Sequence, residues 1–348
     1  MRQTRRNVTL LTACVALAAA CRPDKTAVGP NLPTFARQLD ESSAPLVWHV
    51  VAPQATDPAI DKALDDHYVW LDTTVRSNNK LFVFLPGTGL TPALYQLVQQ
   101  EAARLGYHVI GLMYVNTPGL AKVCPNDPDP ATCYQNSRLE IIDGIDRSVW
   151  VDVNRANSID NRLTKLLEYL AAQYPDEGWE RFLLRDAPKW TQIAISGHSQ
   201  GGGHAAMIAK IHMVARVVMF SSVTDSLQGA SPPWVATHIT PSDRYYGFDH
   251  ALDEQFRSIR SSWDSLGIAI FGPPVAPETS DPPYAFTHML VTKYLPLRGP
   301  GRAAHGAPCV DANTPLNGDG SPMFREAWRY VLTSRDGEEE IADHDEDN

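Results

Sequence analysis

The chain has 348 residues, of which 43% are hydrophobic, and a formal charge of -10 at pH 7. That is enough to bury one large core or two modest ones, and the composition is not that of a disordered protein. The acidic balance gives no electrostatic basis for binding nucleic acid or an anionic surface.

The first elements belong to export rather than to a fold. "MRQTRR" is a basic start, "VTLLTACVALAAA" is an apolar run too short to span a membrane, and Cys21 follows three alanines. Residues 1–20 therefore read as an export signal. Small residues running into a cysteine resemble the lipobox of bacterial lipoproteins, with Cys21 as the lipidated N-terminus and a site at the outer membrane or the periplasmic face; plain secretion is the rival. Residues 21–44, polar and proline-bearing, suit a tether. A single domain is expected over 45–334. The segment 335–348 carries eight acidic residues and reads as a solvated tail without chemistry.

Within the domain, Leu46 to Ala52, His67 to Leu71 and Lys80 to Leu85 read as strands, the last being a continuous apolar run that ends at "PGTGLTP". A helix over Pro92 to Leu105 and a strand in "LGYHVIGLMY" follow. Val115 to Ala156 is expected to form loops or a small cap. Inside it Cys124 and Cys133 bracket "CPNDPDPATC", whose prolines argue against helix and central strand. In an oxidising compartment these two cysteines are expected to pair, and with no CxxC a zinc site is not indicated. Ser158 is a good N-cap for a helix ending before Pro175. Next come a strand from Gln192 to Ser196, a helix from Gln200 to Met213, and the strand Arg216 to Phe220. Ser222 to Pro233 reads as loop or cap, Val235 to Ile239 as a strand, Asp249 to Leu266 as a helix, Gly267 to Phe271 as the last strand, and Pro322 to Thr333 as the closing helix. Strands alternating with helices predict a mostly parallel sheet with helices on both faces.

The stretch "ISGHSQGGGHA" (Ile195 to Ala205) carries the chemistry. It has the glycine spacing of a phosphate loop, but Gly203 and His204 stand where the lysine and hydroxyl belong. A plain turn does not explain Gly201, Gly202 and Gly203 at a helix start, each costing up to about 1 kcal/mol against alanine. GxSxG does: Gly197 and Gly201 flank Ser199 where a strained strand-to-helix turn leaves no room for side chains. The Gln200 N–H and the helix N-terminus would then face a developing oxyanion.

"GHSQG" after a buried strand, with "PGTG" after an earlier one, resembles the α/β-hydrolase superfamily from about Leu46 to Leu332, and within it a group of bacterial exported hydrolases. The resemblance implies the α/β-hydrolase fold and the triad order serine, acid, histidine. Asp243, with a helix and a further strand after it, is the first candidate for the acid, and Asp225, one strand earlier, is the alternate. His288, after the strand expected at Gly267 to Phe271, is the first candidate for the base. His305, with Asp311 nearby, is the alternate. His198 and His204 are expected to pack or line a pocket. By likeness to the family's oxyanion loop, the second donor is the Thr88 N–H, or else that of Gly89. Asp311 to Gly320 fails three positions of a calcium loop, so no metal is expected. Nor is a cofactor implied. The expected activity is hydrolysis of a small-molecule or lipid ester, by a carboxylesterase or lipase. An amidase or acyltransferase with the same triad, and a non-catalytic membrane-tethered binding protein on the same fold, are the alternatives.

Overall fold

In the computed structural model, residues 46–299 and 302–334 are described; the export signal, Cys21, the tether and the acidic tail lie outside them. Eight strands form the central sheet: β1 (Val47–Val51), β2 (His67–Leu71), β3 (Leu81–Leu85), β4 (His108–Gly111), β5 (Ile193–His198), β6 (Arg216–Phe220), β7 (Tyr245–His250) and β8 (Met289–Thr292). Their spatial order is β1-β2-β4-β3-β5-β6-β7-β8. From β4 to β8 every pairing is parallel, whereas β2 runs antiparallel to both β1 and β4. This is a mainly parallel α/β architecture, as the alternation of elements predicts.

Period-two alternation divides the sheet residues between two cores. Leu81, Val83, Leu85, Ile193, Ile195, Val217 and Met219 pack on one face with α2 (Pro130–Asp143), α3 (Ile159–Gln173), α4 (Gln200–Ile211) and α5 (Phe256–Ser265). Phe82, Phe84, Ala194, Val218, Phe220 and Phe248 pack on the other with α1 (Gln96–Arg104) and α7 (Arg325–Thr333). A short helix, α6 (Arg302–Gly306), lies between β8 and α7. Ser158 caps α3 as its sequence predicts, its Oγ accepting from Asn161 N at 3.2 Å. Among the described residues no helix is long and apolar enough to cross a membrane.

Four expectations need correction. The stretch 115–156 contains a 14-residue helix, α2, which begins inside the proline-rich segment: Pro130 occupies the first turn, where its missing N–H costs nothing, and Asp129 accepts from Thr132 N. Val235 to Ile239 is not a strand; Pro232 and Pro233 start a 3₁₀ turn over Pro233–Ala236. "YYGFDH", expected to run partly into a helix from Asp249, is instead strand β7, and α5 starts only at Phe256. A Cβ on Gly247 would lie 2.3 Å from the Trp263 ring, so the glycine admits α5 onto the sheet. Finally, Ile268–Phe271 is a 3₁₀ turn with Ile270 80% exposed, and the last strand is β8. Cys124 and Cys133 lie within disulfide distance, and Cys309 is a buried free thiol.

Candidate functional site

Ser199 stands between the fully buried strand β5 and helix α4, with φ 53° and ψ -117°, a conformation that non-glycine residues rarely adopt. Neighbouring backbone explains both flanking glycines. A Cβ on Gly197 would come 2.4 Å from the Gly201 carbonyl carbon, and one on Gly201 would come 2.1 Å from Leu85 O. The turn is pinned on either side: Ser199 N donates to Phe220 O at 2.9 Å, and Ser222 Oγ donates to Ser199 O at 2.8 Å. Gly203 has a different neighbour, because its missing side chain leaves space for the Arg138 guanidinium.

Sheet register carries other residues to the same edge. His198 pairs with Phe220 and Phe220 with Phe248, so one residue further along these strands stand Ser199, Ser221 and Asp249. Just past β7 the chain turns, and Asp253, its side chain fully buried, accepts a hydrogen bond from His305 Nδ1 at 2.6 Å. The other Asp253 oxygen, Oδ1, accepts from Gln255 N at 2.7 Å. His250 holds this corner together: its Nδ1 accepts from Leu252 N, and its Nε2–H donates to Tyr294 O, on the way from β8 to α6. His305 is brought beside the elbow by its own backbone, whose carbonyl accepts from His198 Nε2 at 3.0 Å; the two rings lie 4.8 Å apart. His305 Nε2 is buried and has no hydrogen-bond partner.

The first-choice acid and base do not meet Ser199. Asp243 is exposed in the turn before β7. Four residues of extended chain, about 13 Å, separate the end of that turn at Tyr245 from the level of Asp249. His288 immediately precedes β8, level with Tyr246, Val218 and Ser196 by register. It lies roughly 14 Å across three strands and roughly 10 Å below the serine's edge. There it is sandwiched between Tyr246 and Phe271, with ring centroids 4.1 and 3.9 Å away, and its Nδ1 donates to Tyr245 O. Both displacements follow from the mistaken strands: with Val235 to Ile239 and Gly267 to Phe271 read as strands, Asp243 and His288 are expected at the sheet edge that Asp253 and His305 occupy. The alternate Asp225 does lie near the elbow, but its carboxylate is held by Arg138 Nε and Nη2, at 2.8 and 2.5 Å, and by Trp234 Nε1. Asp253 was missed because it fell inside the expected helix; the aromatic run "YYGF" was the available signal for a strand ending just before it.

The loop after β3 lies beside the elbow, since Leu85 pairs with Gly197. Two of its amides are engaged: Gly87 N donates to Tyr95 Oη at 3.0 Å and Gly89 N to Asn116 Oδ1 at 3.3 Å. Thr88 lies between them, and its hydroxyl donates to Gln200 Oε1, which also accepts from Leu120 N. Gln200 thus places its own backbone at the helix start while its side chain braces the neighbouring loop. A cleft of about 610 Å³ opens beside this loop, lined by Gly89, Leu90, Asn116, Pro118, Val149 and Trp150. Trp234, Tyr245, Tyr246 and Tyr284 are all buried in packing. Asp311 caps α1 by accepting from Gln96 N and Leu97 N, away from any partnership with His305. His204 is buried in α4. No group of side chains able to hold a metal ion occurs among the described residues.

Asp249 and Asp253 titrate as a contrasting pair. Burial, the negative charge of Asp253 and a hydrogen bond to it hold the Asp249 carboxyl far above the usual carboxylate range. Burial also pushes Asp253 up, but the hydrogen bond and charge of His305, with Asp249 and Gln255, outweigh it and leave Asp253 low. Asp249 is therefore neutral where an unfolded aspartate is ionised. Its contribution to stability is complete below the unfolded pKa and declines as pH rises toward the folded one. Asp249→Asn removes that decline. Its melting temperature should match the parent near pH 3 and exceed it increasingly toward pH 8; a difference that does not change with pH would refute the assignment.

No family model matches the chain, and no curated protein matches it.

Proposed function

We propose that the chain is an exported serine hydrolase of the α/β-hydrolase superfamily that cleaves carboxylic esters through an acyl-enzyme on Ser199. The observation that carries this reading is the strained serine at a strand-to-helix turn, with His305 held by the buried Asp253 and bonded through its carbonyl to the preceding residue, His198. A helix and a strand separate Asp253 from His305, which is the succession the superfamily pattern asks for.

In this reading His305 Nε2 takes the Ser199 proton as Oγ attacks the ester carbonyl. Asp253 fixes the tautomer by accepting from Nδ1–H and stabilises the imidazolium that forms. The Gln200 and Thr88 amides receive the oxyanion. His305 returns the proton to the departing alcohol, then deprotonates the water that releases the acid. The cleft beside Gly89 and Trp150 is of a size to hold one side of the ester.

A fluorophosphonate probe tests this directly. The full chain should become covalently labelled and should hydrolyse short aryl esters, and Ser199→Ala should lose both. Folded wild-type protein that takes up no probe and turns over no ester would overturn the reading.

A further inference from the structure

The His198 side chain bonds on both sides of the elbow, to Tyr95 and to the His305 carbonyl. Its Nε2 lies 3.0 Å from the His305 carbonyl, which can only accept, so Nε2 carries the proton. Burial, reinforced by the adjacent His305, lowers its pKa to about 3, so the ring is neutral and Nδ1 is an acceptor. The Tyr95 hydroxyl, 2.9 Å away, must therefore donate to Nδ1, and Tyr95 Oη in turn accepts from Gly87 N at 3.0 Å. Tyr95 is fully buried and His198 is 4% exposed, so water does not compete for either bond. A Cβ on Gly87 would lie 2.7 Å from His198 Nδ1, so that glycine is what lets the loop approach the ring.

We infer that Tyr95 and His198 are positioning residues that set the oxyanion loop and the base-bearing helix α6 in register with Ser199. The inference rests on the hydrolase reading above. A chain of bonds runs from the Gly87 amide, one residue before Thr88, through Tyr95 and His198 to the backbone of His305. Each bond is made to a loop that bears a reacting group, and none is made to the reacting groups themselves. Loss of the relay should therefore misplace catalytic atoms while leaving the far wall of the cleft, at Val149 and Trp150, in place.

Two isosteres separate its halves. His198→Asn keeps an amide near the Nδ1 position and loses the donor to His305. His198→Gln keeps a donor near the Nε2 position, and Tyr95→Phe removes only the hydroxyl. In ester hydrolysis by the full chain, His198→Asn should lower kcat about 10- to 100-fold with KM nearly unchanged, as a sub-ångström misplacement does. His198→Gln should recover most of that loss, and Tyr95→Phe should fall between. Equal kcat in all three, or a loss in His198→Asn that His198→Gln does not relieve, overturns the relay. Should the wild-type chain neither bind phosphonate nor cleave esters, the hydrolase reading fails, and the ¹⁵N signals of the His305 ring still decide the relay. Displacement in His198→Asn with return in His198→Gln supports it, and unmoved signals overturn it.

Discussion

Alanine at His305 should reduce kcat by at least about 10³-fold, and asparagine at Asp253 by a similar factor, while alanine at His288 leaves kcat within a few-fold of the parent. His305 is the imidazole held by a buried carboxylate and tied to the residue before Ser199. Asparagine at Asp253 can donate to the ring as well as accept from it, so it favours the wrong tautomer of an otherwise intact site. His288 is more deeply buried, but its ring fills a slot between Tyr246 and Phe271. Removing it leaves a cavity and frees the Tyr245 carbonyl, at a cost of about 2–4 kcal/mol in stability. Steady-state kinetics and chemical denaturation of the two alanine variants separate these roles. A His288→Ala protein that is stable and inactive would reverse the assignment.

Arg138→Met should destabilise the fold by about 3–5 kcal/mol, because it strands a fully buried carboxylate at Asp225. The guanidinium also donates to Gln200 O at 3.1 Å, so the loss reaches the first turn of the elbow helix. Replacing both partners, Arg138→Met with Asp225→Leu, removes the unpaired charge and should recover most of the stability. Urea melts of the single and double variants measure this coupling. Additive losses would mean that the two groups do not stabilise one another, and that Asp225 is free for another role.

The strained turn at Ser199 was legible in the sequence because its signal is steric and local. Gly197 and Gly201 report on atoms a few residues away or in the adjoining strand. The sheet up to β6 was legible too, since continuous apolar runs such as "KLFVFL" belong to strands buried on both faces. Beyond Phe220 the periodicity misled. The runs "WVATHI" and "GIAIFG" have strand-like composition, but prolines before one and a left-handed Gly267 before the other turn both into 3₁₀ segments. The true strand β7 ends in Asp249 and His250, polar residues that read as a helix start. They are buried here because each is bonded at the sheet's edge, a fact of tertiary structure that no local pattern carries. Two misread strands were enough to put the expected acid ten residues before Asp253 and the expected base seventeen before His305.

The row of groups along the sheet edge is drawn from distant parts of the chain, from Gly87 to His305. Its last contributor follows the last strand to be synthesised. During synthesis, a chain that has emerged only as far as Asp253 already contains Ser199, its helix and the proposed acid, but not the proposed base. On the mechanism proposed above, His305 reaches Ser199 only with completion of the fold, when β8 docks and the His305 carbonyl in α6 accepts from His198.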